Sequence, residues 1–421
     1  MLKTSTVSAS PPKIAASERQ NLLRLFATGL LFWLSITSLL AVLPLYAQSV
    51  GNSDRLVGLV MSSFAIGLIL SRMWMGQLAD RRSRKLVIVI GAIVMGTAPF
   101  GYLFSDQVWE LMVWRAYHGV SIASFTLGYS ALVSDIAPPS RRGEILGYMA
   151  LVTPLGMALG PALGSWLLSA ASFSWVFMSS GIVGLLAIVL ALTISDPGRP
   201  KPQNSEEETT RSQPSWWDLA TGRALLSPAF VLLLIGSLFG ALVAFLPLFV
   251  QEAELNVNAG LFYAAAALSS CLVRLLTGKA SDRWGRGLFI TGAIICYAVS
   301  YLLLAIAHSP GSLVFAGALE GIGAGIILPV TFAMVSDRSF PHERGQVLAI
   351  CLFGFDLGIA LGGTVLGFLI ALLGYRGLFA LEAGLAALSL LIFMATCNGP
   401  FQPSWRFALG RERDHYALDN N

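Results

Sequence analysis

The hydrophobic positions of the chain fall into long runs that short polar segments separate. A helix needs about 20 apolar residues to cross the ~30 Å hydrocarbon core of a bilayer, so each run predicts one membrane-spanning helix. Twelve runs are long enough: 22–46, 56–75, 86–104, 108–133, 145–168, 173–194, 225–250, 261–277, 288–307, 313–335, 347–373 and 378–395. The pattern predicts an all-α integral membrane protein with twelve transmembrane helices.

One long polar stretch, rich in Pro, Ser and charged residues, divides these runs into two sets of six. Such a composition is typical of a linker. We therefore expect a tail over residues 1–21, a six-helix half over 22–195, a linker over 196–223, a second six-helix half over 224–397, and a tail over 398–421.

Composition supports the membrane assignment. Hydrophobic residues make up 55% of the chain and charged residues 12%, with a mean hydropathy of +0.72, whereas a soluble domain carries about a quarter charged residues. The net charge of +4 is small and lies in short clusters between apolar runs, which argues against nucleic-acid binding. The four cysteines have no paired spacing, so we expect no disulfide framework, metal site or other cofactor.

The distribution of Lys and Arg predicts the orientation. Nearly all of them lie in the tails and in alternate loops on the same side as the N-terminus, whereas the opposite loops hold only Arg55 and Arg376. Cytoplasmic loops carry the excess of basic residues. We expect both termini to be cytoplasmic, and the protein to be multi-pass in the inner or plasma membrane of the cell.

The two halves share a sequence repeat with an offset of 202 residues. The offset relates Arg72 to Arg274, Asp80 to Asp282, Asp135 to Asp337, Arg142 to Arg344, Gly156 to Gly358 and Gly160 to Gly362. Independent chance matches would not share one offset over about 170 residues. Parallel repeats of this kind build transporters with a site at the interface of the halves, near the bilayer midplane.

The segment 76–85, GQLADRRSRK, resembles the loop motif G-x-L-A-D-R-x-G-R-K of the major facilitator superfamily, and the resemblance extends over nearly all of residues 20–398. It implies that this loop and its repeat gate the transporter, with an Asp paired to arginines as a latch. The expected gating residues are Gly76, Asp80, Arg81, Arg84, Asp135, Arg142, Gly278, Asp282, Arg283, Arg286, Asp337 and Arg344. For Asp135 and Asp337, a role only in setting the membrane topology is the alternative. Ser83 stands where the motif has a glycine.

Two further motifs resemble those of the superfamily. Arg115, in the fourth run, matches R-x-x-x-G and implies proton coupling; an arginine that extends to the membrane surface is the alternative. The fifth run resembles the antiporter motif G-x8-G-x3-G-P-x2-G-G, with Ser165 in place of the last glycine, which implies proton-coupled export. Its residues are Gly147, Gly156, Gly160, Pro161 and Gly164. General helix packing is the alternative.

Ionisable residues inside apolar runs are candidates for proton coupling or substrate contact. Glu320 and Asp356 lie within the tenth and eleventh runs, and His118 is the repeat position of Glu320. Removal from water favours the neutral form of a carboxyl group, so such a group can bind and release a proton. Glu382 is a weaker candidate, and helix–helix hydrogen bonds or ion pairs are the alternative for the carboxyl groups. Arg72 and Arg274 lie one turn before the two loop motifs and could complete the gating clusters; extension of their side chains to the inner membrane surface is the alternative.

These observations predict a secondary transporter that works as a monomer by alternating access and exports a small organic compound or drug in exchange for protons. A proton-coupled importer, or a metabolite or sugar carrier, of the same superfamily is the alternative. Ten aromatic residues are candidates to line its cavity or to pack in the bundle: Phe32, Trp33, Tyr46, Phe64, Trp74, Tyr129, Phe245, Phe249, Tyr263 and Phe355. No enzyme motif or ATP-binding loop is present in the sequence.

Overall fold

A computed structural model describes residues 16–51, 53–138, 141–196, 221–255, 257–340 and 343–418. For Asp80, Gly278 and Lys279 it describes the backbone only. The N-terminal tail before residue 16 and the linker over 197–220 lie outside the described residues. The predictions for these two segments therefore stay predictions.

Fourteen helices form the described part of the chain. In the N-terminal half they are α1 (Ala16–Ser38), α2 (Leu43–Gly51), α3 (Asp54–Arg81), α4 (Arg84–Tyr102), α5 (Val108–Ile136), α6 (Arg142–Met149), α7 (Val152–Ala170) and α8 (Phe173–Thr193). In the C-terminal half they are α9 (Arg223–Glu252), α10 (Gly260–Trp284), α11 (Arg286–Ala305), α12 (Pro310–Asp337) and α13 (Arg344–Thr396), and α14 (Phe401–Ala408) follows.

Eleven segments of the described residues are long and apolar enough to cross a membrane, and the last of them is long enough to cross twice. At 1.5 Å per residue, the 53 residues of α13 would extend about 80 Å as one straight helix. The chain turns instead at Gly374, where φ is 64° and ψ is 174°, a left-handed region that glycine adopts without steric cost. Residues 344–373 and 375–396 are therefore two arms, and the twelve predicted crossings are confirmed.

Two predicted spans are interrupted near a proline. The first breaks at residues 39–42, between α1 and α2, and the fifth breaks at residues 150–151, between α6 and α7. Proline has no N–H to donate to the carbonyl four residues earlier. Pro44 and Pro154 thus remove the helical hydrogen bonds to Leu40 and Ala150, at the positions where the helices break.

The same helix packing occurs in both halves. In the N-terminal half α1 packs on α7 and α8, α3 and α4 pack on α5, and α4 packs on α8. In the C-terminal half α9 packs on both arms of α13, α10 and α11 pack on α12, and α11 packs on α13. The halves meet through α3 with α13 and through α7 with α10, two pairs that the repeat relates to each other. The predicted fold of two related six-helix halves is confirmed.

The halves make their closest contacts at one end of the bundle. We name the end that carries Arg81, Arg84, Arg283 and Arg286 the basic end, and the other the opposite end. Near the opposite end, Gly58 lies against the backbone of Gly363, and Gly260 lies against the backbone of Pro161. Both pairs are related by the repeat, since 58 + 202 = 260 and 161 + 202 = 363. There the Tyr375 hydroxyl also donates a hydrogen bond of 2.8 Å to Asp54.

Candidate functional site

A cavity of about 420 Å³ lies between the two halves. Helices α1, α3, α5 and α7 line it from one half, and α9 to α13 line it from the other. Four of the ten candidate aromatic residues are on its wall, namely Trp33, Phe64, Tyr263 and Phe355. Larger pockets of about 790 and 1040 Å³ lie at the two ends of the bundle. We take the central cavity as the site because it alone of these three joins apolar walls to charged side chains of both halves.

Five charged side chains line this cavity: Arg72, Arg115, Arg274, Glu320 and Asp356. Two of them form an ion pair across the halves, with 2.6 Å between Arg72 Nη2 and Asp356 Oδ2. The Asp356 side chain is 3% exposed, so the pair is largely removed from water. The sequence analysis left Asp356 open between a coupling residue and an ion-pair partner, and the structure places it in an ion pair.

Arg115 lines the cavity, whereas His118, one turn further along α5, lies behind the cavity wall. Arg115 is 5% exposed, and its guanidinium carbon lies 4.4 Å from the centre of the Phe64 ring. The Tyr102 hydroxyl lies 2.9 Å from His118 Nδ1. The other ring nitrogen of His118 lies 3.2 Å from the sulfur of Met95. A neutral imidazole fits both contacts, because it donates from Nε2 to the sulfur and accepts at Nδ1 from the Tyr102 hydroxyl.

Glu320 has a different environment from its repeat partner His118. It is 5% exposed and lines the cavity directly. Tyr263, Tyr297 and Tyr301 of neighbouring helices lie within electrostatic range of its carboxyl group. Among the described residues, no basic side chain forms an ion pair with it. A carboxyl group in such a site is the group that a proton or a cationic ligand would neutralise.

Glu382 lies deeper in the C-terminal half. It is fully buried, it is absent from the cavity wall, and neither carboxyl oxygen has a hydrogen-bond partner in the described part of the chain. The Tyr301 hydroxyl, which is also unpartnered there, is within electrostatic range of both Glu382 and Glu320. The sequence analysis ranked Glu382 below the other carboxyl groups, and its burial shows that it has no direct access to the cavity.

The predicted gating residues meet only in part, at the basic end. Arg84 pairs with Asp135, and the repeat-related Arg286 lies 2.9 Å from Asp337 and 3.4 Å from Asp282. Three of the other arginines, Arg81, Arg142 and Arg283, are exposed, and Arg344 donates to the Ser336 carbonyl. A Cβ atom at Gly76 would meet no neighbour within 4 Å. Gly278 and the side chain of Asp80 lie outside what the structure describes.

The fifth-span glycines pack α7 against α1. A Cβ atom at Gly156, Gly160 or Gly164 would overlap Trp33, Thr37 or Ser38, whereas one at Gly147 would meet nothing within 4 Å. The Thr37 hydroxyl also donates a hydrogen bond of 2.7 Å to the carbonyl of Gly156. Three glycines of the motif therefore create a close helix contact beside the cavity, and Pro161 extends it to the interface with α10.

The sequence analysis missed the polar residues that connect these charges. The Tyr102 hydroxyl is hydrogen-bonded to His118, and Tyr297 lines the cavity together with Glu320 and Arg274. It also missed Arg338, whose fully buried side chain pairs with Asp414 of the C-terminal tail at 2.7 Å. A tyrosine in the middle of an apolar run needs a partner for its hydroxyl, which is a signal that sequence contains.

The model of the Major Facilitator Superfamily matches residues 25–311 and 259–413. The chain belongs to this superfamily. It is therefore a multi-pass membrane transporter for small molecules and not an enzyme.

Curated relatives lie within the same superfamily. The chain is 22% identical to an uncharacterized MFS-type transporter of Methanocaldococcus jannaschii, with 86% of this chain and 95% of that protein covered. It is 26% identical to a multi-drug resistance efflux pump PmrA homolog of Lactococcus lactis, with 81% and 86% covered. A match of 30% identity to the quinolone resistance protein NorA of Staphylococcus aureus covers 40% of this chain and 43% of NorA.

Solved structures of this superfamily share the fold. The nucleoside transporter NupG aligns with a TM-score of 0.74 and 18% identity, covering 89% of this chain and 99% of NupG. A bacterial homolog of the lysosomal transporter Spinster aligns with a TM-score of 0.71 and 16% identity, covering 98% and 100%. At these identities the likeness concerns the fold alone.

Proposed function

We propose that the protein exports small amphipathic organic compounds in exchange for protons, by alternating access of the central cavity. The observation that carries the proposal is Glu320, a cavity-lining carboxyl group without an ion-pair partner among the described residues. Glu320 would bind a proton when the cavity is empty and release it when substrate enters. Mutually exclusive occupancy of one carboxyl group by proton or substrate gives antiport when only the occupied transporter changes its conformation.

The direction of transport rests on two supports. The glycine–proline motif of the fifth span packs α7 against α1 beside the cavity, and two relatives are called a multi-drug resistance efflux pump homolog and a quinolone resistance protein. Import of a metabolite is the alternative, because proteins of the same fold include a nucleoside transporter and a peptide transporter. We further propose that the basic end faces the cytoplasm of the cell membrane and that the protein works as a monomer.

In this proposal each role falls to particular residues. Arg84 with Asp135, and Arg286 with Asp337, gate the basic end together with Asp80, Arg81, Asp282, Arg283, Arg142 and Arg344. The Arg72–Asp356 ion pair joins α3 to α13 across the halves, so its breaking would accompany the opening of that interface. Arg115, whose guanidinium group lies over the Phe64 ring, contributes a positive charge to the cavity wall.

Everted membrane vesicles test the coupling. Respiration acidifies their lumen, and addition of norfloxacin or ethidium should partly dissipate the pH gradient only when the transporter is present. The matched control is Asp80→Asn, which should insert at the normal level and fail to dissipate the gradient. Transport that persists undiminished with an uncoupler would refute proton coupling while leaving the transporter assignment intact.

Cross-linking tests alternating access. The four native cysteines are free, so they can be replaced first. Asp54→Cys with Tyr375→Cys then places two thiols at the opposite end, where the native side chains meet. A bifunctional methanethiosulfonate should abolish transport in the double variant and leave each single variant active. Full transport after complete cross-linking would contradict a mechanism in which this end opens.

A further inference from the structure

Arg274 is a cavity-lining cation without an acidic partner in the described part of the chain. Its Nε atom is buried and has no hydrogen-bond partner there, and its electrostatic neighbours are Tyr297 and Cys271. A guanidinium group stays charged in proteins and is costly to bury without a counter-charge. The site is therefore incomplete until an anion or water meets this group.

The repeat explains why Arg274 lacks a partner. Its equivalent in the N-terminal half, Arg72, pairs with Asp356 of α13. Because 356 − 202 = 154, the position that would supply the matching carboxylate on α7 is occupied by Pro154. The interface between α7 and α10 therefore presents a free guanidinium group where the related interface presents a neutral ion pair.

The charges on the cavity wall do not balance. Three arginines face two carboxyl groups, and the Arg72–Asp356 pair cancels itself. Arg115, Arg274 and Glu320 remain, which leaves the wall positive whether Glu320 is ionised or protonated. A ligand with only a positive charge would bind Glu320 but leave both guanidinium groups unmatched.

Proton exchange sets a second condition. A purely anionic ligand would bind better when Glu320 is protonated, which would move proton and ligand in the same direction. For ligand and proton to exchange, the ligand must bring a positive group to Glu320 and displace the proton there. Arg274, Tyr297 and Glu320 line the same cavity, so its wall presents a positive group, a negative group and an aromatic ring to one ligand.

We propose that the cavity binds aromatic zwitterions, with the ligand carboxylate at Arg274 and the ligand ammonium at Glu320. The proposal rests on the proposed proton antiport and names its substrate class. Carboxylate–guanidinium pairing can be bidentate, which fixes the orientation of the ligand. The apolar remainder of the wall, with Trp33, Phe64 and Phe355, would hold the ring system.

Binding to the purified protein in detergent tests the proposal without any gradient. Three probes share one ring system: norfloxacin carries carboxylate and ammonium, its methyl ester carries only the ammonium, and its N-acetyl derivative carries only the carboxylate. At neutral pH we expect norfloxacin to bind at least tenfold more tightly than either derivative. The proposal would be overturned if norfloxacin did not bind, or if either derivative bound as tightly as norfloxacin.

Variants separate the two charges. Arg274→Gln should weaken norfloxacin and the N-acetyl derivative about tenfold and leave the ester within twofold, whereas Glu320→Gln should weaken norfloxacin and the ester and spare the N-acetyl derivative. Arg406→Gln, on the exposed face of α14, is the matched control and should change nothing. Equal losses for all three probes in Arg274→Gln would contradict a carboxylate site. Because no transport is measured, failure of proton coupling in vesicles would leave this result interpretable.

Discussion

The two halves of the transporter share one framework and differ in their ionisable residues. Helix packing, the glycine contacts between the halves, and the Arg–Asp pairs at the basic end all repeat at an offset of 202 residues. Arg72 and Arg274 also repeat, but several other polar groups inside the bundle do not. His118 corresponds to Glu320, Ser180 to Glu382, and Pro154 to Asp356.

In the N-terminal half, the residues at two of these positions are hydrogen-bonded. His118 bonds to Tyr102 and Met95, and Ser180 exchanges hydrogen bonds of 2.9 and 2.8 Å with Ser35. In the C-terminal half, Glu320 opens to the cavity, and Glu382 is buried without a hydrogen-bond partner among the described residues. The comparison teaches that the repeat specifies the scaffold, and that the buried carboxyl groups of the described residues lie where the C-terminal half departs from it.

The largest effect is expected at Glu320, which lines the cavity, and its repeat position His118 serves as the comparison. Glu320→Gln should reduce transport driven by a pH gradient in proteoliposomes about a hundredfold, because an amide cannot exchange a proton. In the same variant, the rate of exchange of labelled for unlabelled substrate at equal pH on both sides should fall only as far as the weaker binding of substrate explains. Transport by His118→Gln should still depend on the pH gradient. Loss of that dependence would place proton coupling in the N-terminal half and contradict the proposal.

The C-terminal tail breaks the symmetry at the basic end. Arg338, which the repeat relates to Ile136, is buried and pairs with Asp414 while donating to the carbonyls of Ala224 and Cys397. Asp414→Ala should destabilise the protein by about 3 kcal/mol, because it removes one partner of a buried ion pair. Thermal unfolding in detergent measures this. Glu412→Ala, on the partly exposed tail, should shift the transition little.

Glycine substitutions test the shared framework. Gly160→Ala and the repeat-related Gly362→Ala should each cost about 1–3 kcal/mol, because the added methyl group would overlap α1 and α9 respectively. Gly147→Ala should be neutral, since its Cβ meets open space and the C-terminal half already has Ala349 at that position. Equal thermal stability of all three variants would show that the close helix contacts are absent.

The smallest effect concerns hydrogen bonding inside the N-terminal half. Ser180→Ala should destabilise the protein by about 1 kcal/mol because it leaves Ser35 with one fewer partner. Glu382→Gln should not destabilise it, since the carboxyl oxygens have no hydrogen bond to lose among the described residues. Melting temperatures of the two variants measure this order. A lower melting temperature for Glu382→Gln than for Ser180→Ala would show that a strong interaction holds Glu382.

Much of the fold could be predicted from sequence because each membrane helix corresponds to a long apolar run and the repeat is nearly gapless. The breaks near Pro44 and Pro154 were not predicted, since proline in a span either kinks a helix or interrupts it according to its neighbours. Among site residues, the sequence identified Arg115, Glu320 and Asp356, which line the cavity. It could not identify partners, because the Arg72–Asp356 pair joins residues 284 positions apart on helices of different halves.

Proton release on substrate binding tests most directly whether the C-terminal half exchanges the proton. Purified protein in weakly buffered detergent solution is mixed with norfloxacin near neutral pH, and a pH indicator reports the change. The account predicts proton release from the wild type and from His118→Gln, and none from Glu320→Gln when the binding sites are saturated. Unchanged release from saturated Glu320→Gln would contradict it.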